Sequence, residues 1–319
     1  MPEPEPLGAA PARPGLAPNV VGALWMLASA LAFTVMTTLI KYLGDDYPAM
    51  LQAFYRQAAG VLVLLPWMLR DLRGTFRTTR PGIVLFRSGA GTIGLILGFY
   101  SYQHLPLAEA NALSFTRTLW IVPLAALVLH ERLGPWRIGA AAVGFLGVLI
   151  MLRPGAEGAL SLPALAALAS ALLFALTITG MKVMTRDHSA FTLLAWSAVL
   201  GLAFAAPPAL FVWRWPTWPD LGLLAAMGVI GTLTQLFYIK GMAVGDAAAM
   251  APIDYTRLVF AGAAGFLLFS EVPTAATLAG AAVVVAATLA ITWREHRQAR
   301  RAQPALSARE RQETSSSTP

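Results

Sequence analysis

Two arginines stand in apolar stretches of the sequence where a charge is costly. Arg117 lies in SFTRTLWIVP (residues 114–123), and Arg257 lies in the similar stretch DYTRLVF (residues 254–260). A charged side chain at the centre of a bilayer costs about 2.5–3.5 kcal/mol on insertion scales, and such residues usually face a cavity or a partner. If these stretches cross a membrane, the two arginines mark one functional site that is formed by two equivalent segments of the chain.

Asp254 and Arg56 are further charges deep within apolar stretches. Asp254 and Arg257 are three residues apart, which places them on one face of a helix and close enough to pair. Arg56 and Arg117 then have no obvious acidic partner, and a guanidinium fork fits a carboxylate or a phosphate. The pattern favours a site for an anionic or zwitterionic molecule. The alternative is that the arginines bind helix-end carbonyls or each other's acidic neighbours, across a pseudo-twofold axis that relates the two stretches.

Several uncharged side chains near these charges are candidates for contacts with a bound molecule. Aromatic rings offer stacking surfaces and amides offer hydrogen bonds, although aromatic residues in membranes also serve packing and the interfacial belt. The candidates are Phe115, Tyr255, Trp120, Tyr55, Tyr100, Tyr238 and Gln235. Asp254, the only acid well inside an apolar run, is also the candidate for proton coupling. The chain has no cysteine, and we expect no metal, no cofactor and no catalytic residue.

Composition indicates an integral membrane protein. The 319 residues are 57% hydrophobic and 12% charged, with a mean hydropathy of +0.64, whereas soluble domains are roughly a quarter charged. The net charge is +7, but the basic residues cluster in short loops and near the C-terminus rather than on an aromatic-interleaved face. That distribution predicts a lipid bilayer as the surroundings and excludes nucleic acid as a partner.

Hydrophobic runs predict ten membrane-spanning helices, because about 20 apolar residues cross the hydrocarbon core. The stretches HERLGPW (130–136) and SEVPT (270–274) separate the fourth from the fifth and the ninth from the tenth. Pro106, Pro123 and Pro252 are expected to kink or interrupt the helices near the arginines. The predicted spans are 19–41, 49–69, 82–103, 107–129, 136–152, 161–183, 190–212, 219–240, 246–269 and 274–293.

The basic residues predict the orientation. Sixteen Lys and Arg fall on the side of the termini, and only Lys41, Arg153 and Arg214 fall on the other. By the positive-inside rule, both termini face the cytoplasm. Arg87 lies near the cytoplasmic end of the third span, where a long side chain is expected to snorkel. An Ala- and Arg-rich composition is typical of a GC-rich bacterial genome, which favours the inner membrane.

The arginine stretches belong to a longer internal repeat. FYSYQHLPLAEANALSFTR (99–117) parallels FYIKGMAVGDAAAMAPIDYTR (237–257), and Glu131 then falls where Glu271 falls. This predicts two five-helix halves, at 19–155 and 161–293. Since five is odd, the second half must insert upside down, and such inverted repeats usually hold a substrate site near the bilayer midplane.

Segments outside the repeat are predicted to be solvated. Residues 1–18 are Pro-rich and without a basic n-region, and they are expected to form a disordered arm rather than a cleaved signal peptide. Residues 296–319 change from basic to Ser/Thr-rich and are expected to form a cytoplasmic tail. Gly94-x-x-x-Gly98 and Gly241-x-x-x-Gly245 predict close helix packing, either within one chain or between two, which leaves both a monomer and a homodimer open.

These residues resemble the EamA-domain branch of the drug/metabolite transporter superfamily. The resemblance rests on the two five-span halves, LPLAEA opening the fourth span, Glu131 and Glu271, and GFLGVLIMLRP closing the fifth. It implies an all-α membrane protein with ten helices around a central cavity and alternating access, in either direction. FYRQ (54–57), FRSGAG (86–91) and YSYQ (100–103) further resemble a sub-branch that includes riboflavin, S-adenosylmethionine and organic-anion carriers.

The predicted function is gradient-driven transport of a small anionic or zwitterionic metabolite, coupled to a proton or a counter-substrate. The alternative is a broad-specificity exporter of drugs or amphipathic metabolites. An intramembrane enzyme ranks below both, because the chain contains no HExxH, no P-loop and no GxSxG, and its four histidines lie at span ends or in loops.

Overall fold

The structure is a computed structural model that describes residues 18–128, 134–152, 161–184, 190–244 and 247–316. It is 89% helix, and the described part contains no strand, which confirms the all-α prediction. The helices of the first repeat are α1 Pro18–Leu43, α2 Ala49–Met68, α3 Leu72–Thr75, α4 Pro81–His104, α5 Leu107–Ser114, α6 Thr116–Val128 and α7 Pro135–Leu152. Those of the second are α8 Leu162–Met184, α9 Ala190–Phe211, α10 Trp218–Val244, α11 Ala247–Asp254, α12 Thr256–Phe269 and α13 Ala275–Ser316.

Seven of these helices are long and apolar enough to cross a membrane, namely α1, α4, α7, α8, α9, α10 and the first part of α13. The other three predicted spans differ from a simple apolar helix. The span at 49–69 is the single helix α2, whose hydropathy is lowered by Gln52, Arg56 and Gln57. The spans at 107–129 and 246–269 are each divided into two shorter helices.

The two ends of the chain extend beyond the repeats. Helix α13 contains the predicted tenth span and continues to Ser316, so the backbone of the predicted tail is helical through that residue. The predicted N-terminal arm at 1–18 lies outside the described residues except for Pro18.

Equivalent helices of the two repeats make matching contacts with the opposite repeat. LASALAF (27–33) and LASALLF (168–174) align Ser29 of α1 with Ser170 of α8. The Ser29 hydroxyl donates to the Thr234 carbonyl oxygen of α10 at 2.9 Å, and the Ser170 hydroxyl donates to the Gly94 carbonyl oxygen of α4 at 2.6 Å. The first helix of each repeat therefore packs on the third span of the other repeat.

Glycines allow these helix pairs to approach closely. A Cβ added at Gly98 would lie 2.9 Å from Ser170 Oγ, and one added at Gly241 would lie 2.8 Å from Met26 Cγ of α1. Such distances leave no room for a side chain, so both positions pack within the chain. Of the two predicted alternatives, packing within one chain or between two chains, Gly94, Gly98 and Gly241 show packing within one chain. Gly245 lies outside the described residues.

Candidate functional site

The divided spans break at equivalent residues in the two repeats. Helix α5 gives way to α6 at Phe115, and α11 gives way to α12 at Tyr255. Each of these amides donates to the carbonyl oxygen three residues earlier, at 3.2 Å for Phe115 and 3.3 Å for Tyr255. The hydroxyls of Thr116 and Thr256 donate to the carbonyl three residues earlier at 2.6 and 2.7 Å. The repeated aromatic-Thr-Arg sequence thus folds as the same tight turn twice.

The two turns meet in the middle of the molecule. The rings of Phe115 and Tyr255 lie 4.6 Å apart between centroids with an interplanar angle of 40°. The Tyr255 hydroxyl also donates to Thr288 of α13. The two rings occupy equivalent positions in the two repeats, so their contact joins the repeats. It brings Arg117 and Arg257, two residues further along each chain segment, to one place.

A single carboxylate contacts both arginines. Asp254 forms an ion pair with Arg257 on its own segment, and Arg117 Nη2 lies 3.4 Å from Asp254 Oδ2. The Arg257 guanidinium also lies 4.6 Å from the ring centroid of Phe33, which is a cation–π contact. In the first repeat the position of Asp254 is taken by Ser114. The pair predicted from spacing is present, and the acid is shared across the repeats.

Arg56 adds a third guanidinium. Its Nη1 donates to the neighbouring Gln57 Oε1 at 2.8 Å, and its buried Nε has no hydrogen-bond partner within the described part of the chain. A Cβ added at Gly231 of α10 would lie 3.1 Å from that Nε, so a glycine on the facing helix makes room for the side chain. Three arginines and one aspartate give this region a net positive charge.

These charges open onto a cavity of about 530 Å³ between the two repeats. Its walls are otherwise largely apolar and aromatic, as is usual for small-molecule sites. The predicted site residues that line it are Arg56, Phe115, Arg117, Gln235, Tyr238, Asp254, Tyr255 and Arg257.

Three predicted candidates lie elsewhere. Tyr55 packs at 6.0 Å from the Trp213 ring, Tyr100 at 4.2 Å from His104, and Trp120 at 4.8 Å from Phe145, measured between ring centroids. None of the three is among the described residues that line the cavity. The structural reason is helical geometry, since a shift of one or two positions turns a side chain to another face of the helix.

Sequence reasoning missed several lining residues. Tyr102 and Phe33 line the cavity and pack edge to face with their ring centroids 6.0 Å apart. Tyr102 is two residues from Tyr100, so hydropathy alone did not show which tyrosine faces inward. Phe33 carried a detectable signal, because it aligns with Phe174 in the repeated LASAL segment, and Phe174 also lines the cavity.

At one end of the fourth predicted span, an acid of the second repeat caps a helix of the first. Glu271 Oε2 accepts from the Leu107 amide that opens α5, at 2.8 Å, and Glu271 also forms an ion pair with Lys41. Lys41 Nζ donates to the Leu105 carbonyl oxygen at 2.6 Å. Glu131, the repeat equivalent of Glu271, lies outside the described residues.

The chain is similar to known transporters over almost its whole length. The EamA-like transporter family matches residues 20–153 and again 161–293. The S-adenosylmethionine uptake transporter of Rickettsia bellii is 30% identical over 86% of this chain and 94% of its own. The riboflavin transporter of Rhizobium johnstonii is 32% identical, over 88% and 94%. The pseudopaline exporter of Pseudomonas aeruginosa is 28% identical, over 85% and 95%.

A solved crystal structure supports the fold alone. It is 20% identical, covers 86% of this chain and 96% of its own, and has a TM-score of 0.55. The family match, the transporter relatives and the apolar helices identify a multi-pass membrane protein that transports small molecules and is not an enzyme. The chain belongs to the EamA-like transporter family.

Proposed function

We propose that this transporter is a secondary carrier of a small anionic or zwitterionic metabolite. The observation that carries the proposal is a cavity of about 530 Å³ that is lined by Arg56, Arg117, Arg257 and Asp254. The Asp254 carboxylate contacts Arg117 and Arg257, and Arg56 adds a guanidinium that it does not contact. Guanidinium groups in a low-dielectric site bind carboxylates or phosphates strongly and in a defined orientation. The surplus positive charge in this cavity therefore favours an anionic group on the substrate.

The same site can hold a zwitterion. Asp254 offers a carboxylate for a cationic group, and Phe33 presents a ring face to the guanidinium of Arg257. Phe115 and Tyr255 add aromatic surface beside the charges. The names of the relatives include S-adenosylmethionine, a zwitterion with a purine ring, and riboflavin, a flat heterocycle. Both kinds of molecule belong in a search for the substrate.

The membrane topology that supports this mechanism has ten passes. Seven long apolar helices, α2 and the two broken pairs α5/α6 and α11/α12 make up that number. The broken pairs place their turns, with the arginines, at mid-helix. The positive-inside distribution puts both termini in the cytoplasm, and we assign the chain to the bacterial inner membrane. Exchange of contacts between equivalent helices favours alternating access by rocking of one repeat on the other.

Asp254 is the proposed coupling residue. Its carboxylate contacts both Arg117 and Arg257. Protonation of Asp254 would release the two guanidiniums to the substrate, and loss of the proton would restore the ion pairs. Proton binding and anion binding would then favour each other, which is the requirement for symport of an anion with a proton. Exchange against a counter-substrate uses the same site without Asp254 changing its protonation.

A second candidate function is broad export of amphipathic compounds. The cavity walls favour it to the extent that they are apolar and include Met26, Met36 and Met242. Methionine side chains adapt to differently shaped ligands. One relative is named an exporter. In this case the aromatic and apolar walls, rather than the arginines, would determine binding.

A thermal-shift experiment separates the two candidates. The purified chain in detergent is heated with riboflavin, S-adenosylmethionine, amino acids, di- and tricarboxylates, and cationic drugs. A ligand of the folded state raises the melting temperature by mass action. We expect a shift with one anionic or zwitterionic class that Arg117→Ala abolishes. Arg214→Ala, which changes an arginine outside the cavity, should keep the shift. Equal shifts in wild type and Arg117→Ala would favour the broad exporter.

A further inference from the structure

A second cavity of about 650 Å³ lies next to the first along the same helices. The first cavity is lined by the C-terminal part of α4, from Leu95 to Tyr102. The second is lined by the N-terminal part of α4, from Arg87 to Leu95, and by the C-terminal part of α2, as far as Trp67. The two cavities therefore lie at different depths, and with the termini in the cytoplasm the second lies toward the cytoplasmic side.

Arg87 is the charged group that distinguishes this second cavity. Its Nη1 donates to Ser197 Oγ of α9 at 2.6 Å, and Ser197 in turn donates to the Leu193 carbonyl oxygen at 2.7 Å. Its buried Nε has no hydrogen-bond partner among the residues that the structure describes. Arg87 thus turns to a neutral hydroxyl of the second repeat, which differs from the snorkelling expected from sequence. A hydroxyl positions the guanidinium but does not neutralise it.

No acid lines the second cavity within the described ranges. Arg87 and Arg56 are its charged lining residues there, and Gln57, Thr92 and Thr177 supply polar groups. A guanidinium that is partly buried and not neutralised attracts an anion, and its planar fork fits a carboxylate or a phosphate. Phe174 and Phe191 add ring surfaces to the walls.

The two cavities share part of their lining. Arg56, Phe174 and Gln235 line both, so Arg56 lies at the junction between Arg117 on one side and Arg87 on the other. An anion that leaves the first cavity toward the cytoplasmic side meets Arg56 and then Arg87. Successive sites of like charge let a substrate enter favourably without being trapped at one position.

We propose that the second cavity is a second anion-binding site, in which Arg87, positioned by Ser197, binds the carboxylate or phosphate of the transported solute on its way between the first cavity and the cytoplasm. The proposal rests on the proposed function, since it assigns the same substrate class to both cavities. The same chemistry could come from a lipid headgroup, so the test separates soluble anions from lipid.

The absence of natural cysteines permits a direct test with single reporter cysteines. Thr177→Cys places a thiol in the second cavity, and Thr118→Cys places one in the first. The full chain is reconstituted in phosphatidylcholine nanodiscs. Rates of modification by an anionic and a cationic methanethiosulfonate reagent are then compared, with and without citrate as the probe anion. Each reporter is combined with Arg87→Gln, Arg87→Lys or Arg117→Ala, and gel filtration checks folding.

We expect Arg87→Gln to lower the ratio of anionic to cationic modification rates at Thr177→Cys by about threefold or more, because a nearby positive charge is lost. Arg87→Lys should keep the ratio. Citrate should slow modification at Thr177→Cys in the parent chain and in Arg117→Ala, but not in Arg87→Gln. An unchanged ratio in Arg87→Gln, or citrate protection that persists in it, would overturn the second site.

Two further outcomes are separable. If citrate does not slow modification of Thr118→Cys in the parent chain but does slow modification of Thr177→Cys, the proposed function of the first cavity is contradicted. The second site is then still supported. In nanodiscs that contain phosphatidylglycerol, the second site should still respond to citrate. If phosphatidylglycerol alone protects Thr177→Cys and citrate adds nothing, the cavity holds a lipid headgroup and the assignment to a transported solute is wrong.

Discussion

At the scale of single residues, the central feature is an asymmetry within a symmetric site. The repeats place Phe115 against Tyr255 and bring Arg117 close to Arg257, but the carboxylate of Asp254 has only Ser114 as its counterpart. A second carboxylate would balance the charges of Arg117 and Arg257. Ser114 therefore leaves positive charge for a substrate, and a change at this position tests that reasoning.

Ser114→Asp is predicted to weaken binding of an anionic substrate by about tenfold or more, because a new carboxylate competes for the guanidinium groups. Asparagine has nearly the same size as aspartate but no charge, so Ser114→Asn should bind the anionic substrate within about threefold of wild type. Ligand titration by calorimetry or thermal shift measures both. Unchanged affinity in Ser114→Asp would show that the substrate does not use this charge.

Asp254→Asn is predicted to abolish accumulation driven by a proton gradient while substrate exchange at equal pH continues, because an amide keeps the shape of the site but cannot carry the proton. Proteoliposomes with and without an imposed pH gradient make the comparison. Asp220→Asn, a change at the start of α10 where Asp220 accepts from Tyr47 at 2.8 Å, is the control and should keep proton-driven accumulation. Proton-driven accumulation by Asp254→Asn would exclude Asp254 from coupling.

At the scale of helices, hydropathy predicted where the long apolar helices lie better than where helices break. Pro123 lies inside α6, eight residues beyond the break at Phe115. Pro252 lies three residues before the break at Tyr255, and its carbonyl oxygen accepts from the Tyr255 amide. The breaks occur at Phe115 and Tyr255. At each break, a threonine hydroxyl and a backbone amide both donate to carbonyl oxygens three residues earlier and form a turn. Such turns depend on local hydrogen bonds and on the facing repeat, and hydropathy carries neither.

The contact of Glu271 with α5 joins the two repeats and contributes to the free energy of unfolding. Glu271→Gln is predicted to lower the free energy of unfolding by about 1.5–3 kcal/mol, because a charge-assisted cap and the ion pair with Lys41 are both weakened. Unfolding in denaturant measures the loss. In a double-mutant cycle with Lys41→Met, the two changes should be non-additive, and strict additivity would contradict a direct interaction.

At the scale of the whole molecule, the internal repeat made the position of the candidate site predictable. Two stretches with the same Thr-Arg pair occur at equivalent places in the two repeats, and the structure brings them together where Phe115 contacts Tyr255. The sequence also identified eight of the lining residues. The contact of Asp254 with Arg117 of the other repeat was one of two alternatives that the sequence left open. The sequence could not show that Tyr102 rather than Tyr100 faces inward, because this depends on helix rotation set by packing.

The central claim, that the paired arginines bind the transported anion, is tested most directly by flux. Uptake of labelled S-adenosylmethionine, riboflavin and citrate is measured in proteoliposomes with wild type, Arg117→Ala and Arg214→Ala. We predict saturable uptake of at least one solute, reduced about tenfold or more at low concentration by Arg117→Ala, because a charge-assisted bond is lost. Arg214→Ala should stay within about twofold of wild type. Uptake by Arg117→Ala with wild-type rate and KM would contradict the claim.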